Sequence, residues 1–533
     1  MKHYRRMIAA VMPLLLFLQT GCSNPLNPHN SALDASFAGE SYDFPRYPIA
    51  ELQAKIEALT GIWKESGRED EIRDTIQMLL DADNEAYAIN IRAELPYRAN
   101  WSDQALFEAN SVTWEDYCVV DEMLTWAFAN GYRYSAYKDL FEPYIEESWL
   151  DYYCTSPLPK LMSSARFSAS DQTELLEDYY DTAYDPDMDA ADINLNCAKL
   201  YLDILETYDL SDYQYSQYFR DYTAEDASEA AASVLKEIVP LMDELGADIS
   251  TDPAYLRISE QTDSSLDVFS VLRKYAPRIS PSVGESAELL LNEKLYQAAS
   301  GDDCYDGSFT VNLPGEHRAM MYIYLRDNFT DLFSLTHEFG HFHSDWREKT
   351  PVYLQANCID IAESQSQSME MLFTIFYPEI FGDDAVIMEK LELYNILSSI
   401  TTGLAVGEFE YRVMQRADSI TPEDVLSCYE EIADQYGMTL EFYEVTHLFE
   451  HPGYYVSYGI SALPAIQLYA MMQEDYEGAV GIYDKLSAIS SFSGETYFSE
   501  AMEQCGMRDA FDEETFAYIA DIVSERIQQL NAA

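Results

Sequence analysis

Apolar side chains recur every three or four residues along much of this chain, and charged side chains occupy the positions between them. This spacing places the apolar groups on one face of a helix, which is the pattern of an amphipathic helix packed against a core. The clearest periodic segments are residues 50–66, 69–89, 223–245, 389–403, 421–436 and 513–530. The sequence therefore predicts a mostly helical protein.

Strand patterns are persuasive in one region. Residues 307–315 and 319–325 are two short runs rich in β-forming residues around a proline and glycine turn. Such a pair of runs predicts a small sheet, placed in the chain just before the next helix.

That next helix carries candidate chemistry. Its apolar stripe consists of Leu332, Leu335, Phe339, Phe342 and Trp346. His337 and His341 lie nearly opposite this stripe and one helical turn apart, so their imidazoles can converge on one metal ion. Glu338 points to the edge of the pair, within reach of a water on that ion. The alternative is a buried helix whose histidines only hydrogen-bond to their neighbours; His343, well round the helix, is predicted to be structural or at the surface.

A hydrolytic metal site needs a third protein ligand and one open position. A histidine six residues after His341 would supply it in one known arrangement, but that position is Arg347. A carboxylate on a following helix is the remaining option, and Glu363 and Glu370 share one face there. Glu363 has a competing interpretation, because Asp360 and Glu363 have the spacing of a helix capping box.

The motif His337-Glu-Phe-Gly-His341, followed by Ala362-Glu363 and by Glu370 seven residues later, resembles the active site of the thimet oligopeptidase and oligoendopeptidase F family of zinc metallopeptidases. The resemblance implies one Zn²⁺ per chain, bound by His337, His341 and Glu363. It implies that Glu338 is the general base and that Glu370 steadies a ligand histidine from outside the metal shell. It also implies two helical lobes around a deep channel that admits short unfolded peptides, with a small β-sheet next to the zinc helix.

A second segment, from His447 to Tyr458, resembles the histidine and tyrosine cluster that closes on the substrate in that family. Tyr455 and Tyr458 match its spacing and are the predicted oxyanion donors, with either His447 or His451 beside them. His451 and Tyr454 are predicted to contact substrate. The alternative is that part of the cluster is core packing, since the chain has 42 tyrosines.

The family resemblance also suggests a role for the predicted sheet. In that family, an edge strand next to the zinc helix holds the substrate backbone, and residues 320–325 would suit the same role, with Tyr322 as a substrate contact. A purely structural hairpin is the alternative.

The N-terminus predicts export. A basic start precedes an apolar run at residues 7–18, which is too short to cross a membrane and is typical of a signal peptide. We predict a signal peptide at 1–21, a lipidated Cys22 and a polar tether at 22–45, with simple cleavage nearby as the alternative. The protein would then lie on the outer or periplasmic side of a bacterial membrane, held only by lipid.

Charge and cysteines narrow the function further. The chain has 32 Lys and Arg against 94 Asp and Glu, a net charge of −62, which repels phosphate backbones and argues against nucleic-acid binding. Seven scattered cysteines remain after Cys22, an odd number that does not predict a disulfide framework.

These patterns predict an N-terminal helical lobe at 46–240 and a catalytic lobe at 241–533, in a chain expected to act as a monomer. The predicted function is a zinc-dependent endopeptidase for short unfolded oligopeptides. The alternatives are a non-catalytic surface lipoprotein that binds peptides and a zinc carboxypeptidase on a related helical scaffold.

Overall fold

The computed structural model describes residues 45–145, 147–156, 158, 171–185, 188–207, 218–259, 266–356, 358–416 and 419–532. Within these ranges the chain is mostly helical with one three-stranded sheet, which confirms the predicted fold class. The predicted signal peptide, Cys22 and all but the last residue of the predicted tether lie outside the described residues. The channel between lobes stays a prediction.

The chain divides into two compact units. Unit 1 is formed by the described residues of Met1–Ser168, Leu289–Arg326 and Asp345–Gln355. Its helices are α1 (Ile49–Ile62), α2 (Glu69–Ala99), α3 (Gln104–Tyr134) and α4 (Glu147–Thr155). Apolar stripes hold α2 against α3; Ile72, Leu79 and Val120, for example, are fully buried. Their burial from water is the main force that joins these helices.

The sheet of unit 1 consists of β1 (Tyr296–Ala299), β2 (Phe309–Leu313) and β3 (Arg318–Tyr324). β2 and β3 form the predicted antiparallel hairpin, and β1 pairs in parallel with the other side of β3. The prediction that residues 320–325 form an edge strand is therefore wrong. β3 is the central strand, and its main chain is engaged by a neighbour on each side.

Unit 2 is formed by the described residues of Ala169–Glu288, Asp327–Ser344 and Ala356–Ala533. The helices that lie wholly or mostly within it are α5 (Asp171–Ala183), α6 (Ala190–Glu206), α7 (Ala224–Glu237), α8 (Val239–Thr251), α9 (Pro253–Ser259), α10 (Val268–Ile279), α11 (Pro281–Glu293), α12 (Asp331–Asp345), α13 (Ile359–Phe373), α14 (Tyr377–Phe381), α15 (Ala385–Met414), α16 (Pro422–Tyr436), α17 (His447–Glu450), α18 (Val456–Glu474), α19 (Tyr476–Leu486), α20 (Phe498–Cys505) and α21 (Glu513–Ala532).

All six segments with clear helical periodicity contain helices, but the first helix ends at Ile62, four residues before the predicted end, and one segment is interrupted. Residues 223–245 form α7, which begins with a capping box between Thr223 and Asp226, and then α8. The break falls at Ile238 because Pro240 lies in the first turn of α8. Proline has no N–H to donate and its ring clashes with the preceding turn, so it suits a helix start and not a helix interior.

Two long helices of unit 2 touch through glycines. A Cβ atom on Gly403 of α15 would lie 2.3 Å from the main-chain nitrogen of Gly459 in α18, and one on Gly407 would lie 2.7 Å from the Val456 side chain. Any side chain at Gly403 would force the helices apart. This contact fixes the start of α18, which directly follows Tyr455.

The two units do not follow the predicted division after residue 240. Residues 169–240 belong to unit 2, because α7 packs against α15. Residues 289–326 belong to unit 1, because the sheet packs against α2. Packing partners that are distant in sequence decide the boundary, and local composition does not mark them.

The seven cysteines in the described part of the chain are free thiols: Cys118, Cys154, Cys197, Cys304, Cys358, Cys428 and Cys505. This agrees with the prediction that they form no disulfide framework. Within the described ranges, no helix combines the length and the hydropathy needed to span a bilayer.

Candidate metal centre

Two adjacent helices of unit 2 carry the residues of the predicted metal site. α12 contributes His337, Glu338 and His341, and its apolar stripe is packed as predicted: Leu332, Leu335, Phe339 and Phe342 are all fully buried. α13 contributes Glu363 and Glu370. Because the stripe fixes the rotation of α12, His337 and His341 face away from this core.

Gly340 lets these two helices approach closely. A Cβ atom at this position would lie 2.6 Å from the Cα atom of Ser366 and 3.0 Å from the carbonyl oxygen of Gln365. The first distance is shorter than real Cβ contacts allow, and the second is tighter than most of them. Ser366 lies between Glu363 and Glu370 along α13, so the closest approach of the helices is also the point that presents both carboxylates to the histidines.

Three donor groups converge where the helices meet. The Nε2 atoms of His337 and His341 lie 3.4 and 3.7 Å from the same carboxylate oxygen of Glu363. One donor atom from each of the three residues lies within 4.8 Å of the others. Around a tetrahedral zinc ion, with ligands at about 2.0–2.1 Å, neighbouring donor atoms are about 3.3–3.4 Å apart. Two imidazoles and one carboxylate at this spacing can hold such an ion.

A second carboxylate orients one of the histidines. Glu370 Oε1 lies 2.7 Å from His337 Nδ1, which leaves Nε2 of the same ring directed at the cluster. Behind Glu370, burial raises the pKa of Glu392 well above its usual value, and the Glu370 carboxylate raises it further. The Tyr377 hydroxyl donates to Glu392 at 3.0 Å. The shift favours the protonated form of Glu392.

Burial and neighbouring charges shift the pKa of each of the three candidate ligands. Burial lowers the pKa of His341 to about 4, so its ring is neutral at ordinary pH. Burial also opposes protonation of His337, but the carboxylates of Glu363 and Glu370 raise its pKa well above the usual value. Although burial opposes ionisation of Glu363, the two histidines keep its pKa low. A metal ion would replace the proton on His337, so its affinity should fall as the pH decreases.

The capping interpretation of Glu363 is wrong. α13 begins after Cys358 without any side-chain cap, and Asp360 instead accepts a hydrogen bond from the Tyr222 hydroxyl at 2.9 Å. Glu363 faces the histidines and accepts a bond from Ser366 Oγ at 3.2 Å. Its carboxylate is thus available to the metal cluster.

His343 is a structural residue of the core. It is buried, its Nδ1 atom lies 2.8 Å from Ser286 Oγ, and its ring stacks on Tyr483. The alternative interpretation, a buried histidine that only hydrogen-bonds to its neighbours, is therefore correct for His343.

A second cluster in unit 2 gathers the predicted substrate-contacting residues around His447. The centroid of its ring lies 4.9 Å from Tyr454, 5.7 Å from Tyr455 and 5.8 Å from Tyr458. All three tyrosines are buried, so the cluster is packed core as well as candidate site. The Glu363 carboxylate contributes to the pKa of both His447 and Tyr454, which places the two clusters within electrostatic range.

His451 lies in the same cluster, 6.2 Å from the ring of His447. Burial lowers its pKa to about 4, so it too is neutral. Neither of its ring nitrogens makes a hydrogen bond to a described residue, and neither does Nε2 of His447. Buried donors of this kind are commonly satisfied by water or a ligand.

Tyr322 lies elsewhere, in the hydrophobic core of unit 1. It is fully buried on β3, and its hydroxyl donates to the carbonyl oxygens of Arg98 at 3.0 Å and Tyr305 at 2.8 Å. These bonds give the Tyr322 side chain a structural role. Its predicted contact with substrate has no support.

Two residues of the metal centre were missed by the sequence interpretation. Gly340 was visible as a glycine inside an otherwise strong helix pattern, which indicates a close backbone approach. Glu392 had no local signal, because the partner that gives it meaning, Glu370, is distant in sequence.

We predict a graded loss of metal binding. Glu363→Ala and His341→Ala should abolish stoichiometric zinc binding, because each removes a ligand atom. Glu370→Gln should weaken binding by about 10–100-fold, because it only releases the orientation of His337. Zinc content after dialysis and competition with a chromogenic chelator measure both effects. His343→Gln is the matched control on the same helix and should keep its zinc; loss of zinc there would contradict the ligand set.

We also predict that Gly340→Ala separates α12 from α13. The added methyl group has no room beside the Ser366 backbone, so unfolding free energy should fall by about 1–3 kcal/mol. Zinc affinity should decrease as well, although no ligand is changed. Chemical denaturation and the chelator competition report the two effects. Gly481→Ala on α19, where no atom lies within 4 Å of the new methyl group, is the control. It should leave zinc affinity unchanged and should not lower the unfolding free energy, because alanine is the better helix former.

The chain has the fold of several solved structures. PZ peptidase A with inhibitor 2 matches it with a TM-score of 0.68 and 15% sequence identity, covering 93% of this chain and 99% of that chain. A protein provisionally described as oligoendopeptidase F gives a TM-score of 0.68 and 16% identity, over 92% and 98% of the two chains. Another with that provisional description, from Bacillus anthracis strain Ames, gives 0.66 and 16%, over 92% and 98%. No protein-family model and no curated protein matches the sequence. At these identities the likeness establishes a common fold.

Proposed function

We propose that this protein is a zinc-dependent endopeptidase that hydrolyses short, unfolded oligopeptides. The observation that carries the proposal is the convergence of His337, His341 and Glu363, with Glu338 next to the first of them on the same helix. The fold shared with solved structures described as PZ peptidase and oligoendopeptidase F supports the same class of reaction.

The donor set suits zinc. Two imidazole nitrogens and one carboxylate leave a fourth position open, which is the composition of catalytic and not of structural zinc sites. When bound, zinc supplies Lewis acidity that polarises a peptide carbonyl and makes a water molecule more acidic. Glu370 would keep the His337 ring in the orientation that binding requires.

Glu338 is the proposed general base. It follows His337 directly, so its side chain leaves α12 at the edge of the ligand pair. It would accept the proton of the attacking water and return it to the leaving amine. The side chain is buried, which keeps bulk water from competing for this proton transfer.

The aromatic cluster around His447 supplies the proposed donors for the oxyanion. Burial lowers the pKa of His447 to about 3, so its neutral ring can donate one hydrogen bond. Burial likewise raises the pKa of Tyr455 to about 12, so its hydroxyl keeps its proton. Tyr458 packs edge-on against both of these rings. Donors held in a buried site stabilise the charge of a transition state strongly.

The electrostatics support His447 over His451 as the imidazole donor. Glu363 contributes to the pKa of His447, whereas burial alone lowers that of His451. Tyr454 also responds to Glu363. We therefore assign His447 to the oxyanion and His451 and Tyr454 to substrate contact.

A peptide-binding lipoprotein without catalysis and a zinc carboxypeptidase are the competing functions. The first has no use for Glu338 beside an intact ligand set. The second differs in where it cuts. The exported, lipid-anchored location and the monomeric state remain proposals from the sequence.

Glu338→Gln tests the catalytic assignment. The amide cannot accept the proton of water, so turnover of a quenched fluorescent peptide should fall by at least about 100-fold while zinc content stays at one per chain. Glu348→Gln makes the same change at another buried glutamate and should leave turnover unaltered. A Glu338→Gln variant that retains its activity would contradict this assignment.

Cleavage mapping separates endopeptidase from exopeptidase action. We expect peptides of mixed length with acetylated and amidated ends to be cut at internal bonds, as identified by mass spectrometry. A carboxypeptidase would spare them and remove single residues from free C-termini. Peptides recovered intact but bound would favour the non-catalytic alternative.

A further inference from the structure

A short segment of unit 2, residues 218–222, lies against both parts of the proposed site. Tyr218, Arg220 and Tyr222 are buried, whereas Asp221 between them is exposed and accepts a bond from the Ser499 main-chain N–H. Phe219 adopts a positive φ of 54°, a conformation that costs free energy in a residue other than glycine. We call residues 218–222 the clamp segment.

Arg220 is the centre of this segment. Its side chain is completely buried, and its Nη1 atom donates to the carbonyl oxygen of Gly453 at 2.8 Å. Nη2 donates to Ser457 Oγ, and Nε lies 3.3 Å from Asp360 Oδ2. The guanidinium also lies over the ring of Tyr218, with its carbon 4.6 Å from the centroid. One side chain thus binds the loop before α18 and the first turn of α13.

The two tyrosines of the clamp segment bind the same two elements as Arg220, one tyrosine to each. The Tyr218 hydroxyl donates to the carbonyl oxygen of Pro452 at 3.1 Å, and its ring packs edge-on against Tyr454. The Tyr222 hydroxyl donates to Asp360 Oδ2 at 2.9 Å. Tyr218 therefore holds the loop, and Tyr222 holds the helix.

The loop is held from its other side as well. The main-chain N–H of Gly453 donates to Glu410 Oε1 at 2.7 Å, while its carbonyl oxygen accepts from Arg220. Gly453 has a φ of 83°, which a side chain would disfavour. The N–H and the carbonyl oxygen of Gly453 are therefore both hydrogen-bonded to buried side chains.

The two anchor points are adjacent to functional residues. Asp360 precedes the proposed ligand Glu363 by one helical turn, and Gly453 and Ser457 flank Tyr454 and Tyr455. Burying a guanidinium and a carboxylate is costly and often adds little net stability compared with apolar side chains. A buried pair that spans these two anchors does, however, fix their relative position.

We propose that Arg220 is a positioning residue, which sets the register between α13, which carries the proposed ligand Glu363, and residues 451–458, which run from the loop before α18 into its first turn. This inference rests on the proposed peptidase function for its effect on turnover. Arg220 itself touches neither the metal ligands nor the proposed oxyanion donors in any contact described above.

Arg220→Met tests the proposal, because methionine keeps the apolar stem and removes every hydrogen bond of the guanidinium. Hydrogen exchange followed by mass spectrometry should show amides 451–458 exchanging at least about tenfold faster. Zinc content should stay at one per chain. The kcat for a quenched fluorescent peptide should fall by about 10–100-fold, more than KM changes, because donors misplaced by about 1 Å lose transition-state stabilisation.

Two further variants guard against a trivial loss of folding. Arg220→Met combined with Asp360→Asn leaves no unpaired buried charge, and Tyr218→Phe removes a single hydroxyl from the clamp; both should loosen amides 451–458. Arg526→Met breaks another partly buried arginine pair, with Glu389 on α15. It should lower the melting temperature without altering kcat or the exchange of the loop.

The outcomes separate the two proposals. Unchanged exchange of amides 451–458 in the folded variants would overturn the positioning role, whatever happens to turnover. Faster exchange with unaltered kcat would overturn it too, because the loop would be loose without consequence. A wild-type protein that cuts no peptide would refute the peptidase function, while the exchange comparison would still decide whether Arg220 holds the loop.

Discussion

The absence of a side chain at Gly340 is the constraint on which the candidate site depends. It allows the backbones of α12 and α13 to touch where the carboxylates of Glu363 and Glu370 must meet two histidines. Helices that pack through side chains usually lie about 8–10 Å apart. At that spacing, both carboxylates would lie farther from the imidazoles by about the length of a methyl group or more. The same device recurs at Gly403 and Gly459, where α15 and α18 touch. In unit 2, close contacts between helix backbones therefore position the candidate functional side chains.

Interactions between buried ionisable groups are a second feature of unit 2. Unit 2 buries several ionisable groups, and three of them lie beside another ionisable group. His337 lies between two carboxylates, Glu392, whose pKa is raised, lies behind Glu370, and Arg220 pairs with Asp360. Pairing is the condition under which buried charges are tolerated. The arrangement makes these groups interdependent, so a change at one is felt by the ionisation or orientation of the next.

The sequence predicted those features that depend on local spacing. The stripe of α12 and the position of its histidines follow from a repeat of 3.6 residues, and the hairpin of β2 and β3 follows from its turn. Features that depend on distant partners were not predictable in this way. β1 is only four residues long and gains its identity from pairing with β3, which made β3 a central strand and left Tyr322 buried. Arg220 has no local pattern around it, since its partners lie more than a hundred residues away. Spacing along α13 does not show whether Glu363 is a metal ligand or a helix cap, because that choice depends on where His337 lies in the structure.

The order of the segments within the two units has a consequence for how the chain folds. Unit 1 needs residues up to Gln355, and the metal helix that interrupts its sequence belongs to unit 2, which needs residues close to the end of the chain. Unit 1 cannot be complete until residue 355 has been made, and unit 2 cannot be complete until its last helix has been made. Folding must therefore wait for contacts between segments made early and late in synthesis, a topology that slows folding and leaves intermediates exposed for longer. The candidate ligands illustrate the point: His337 is made before Glu363 but has no carboxylate partner until α13 has emerged, so the candidate site can form only after most of the polypeptide is present.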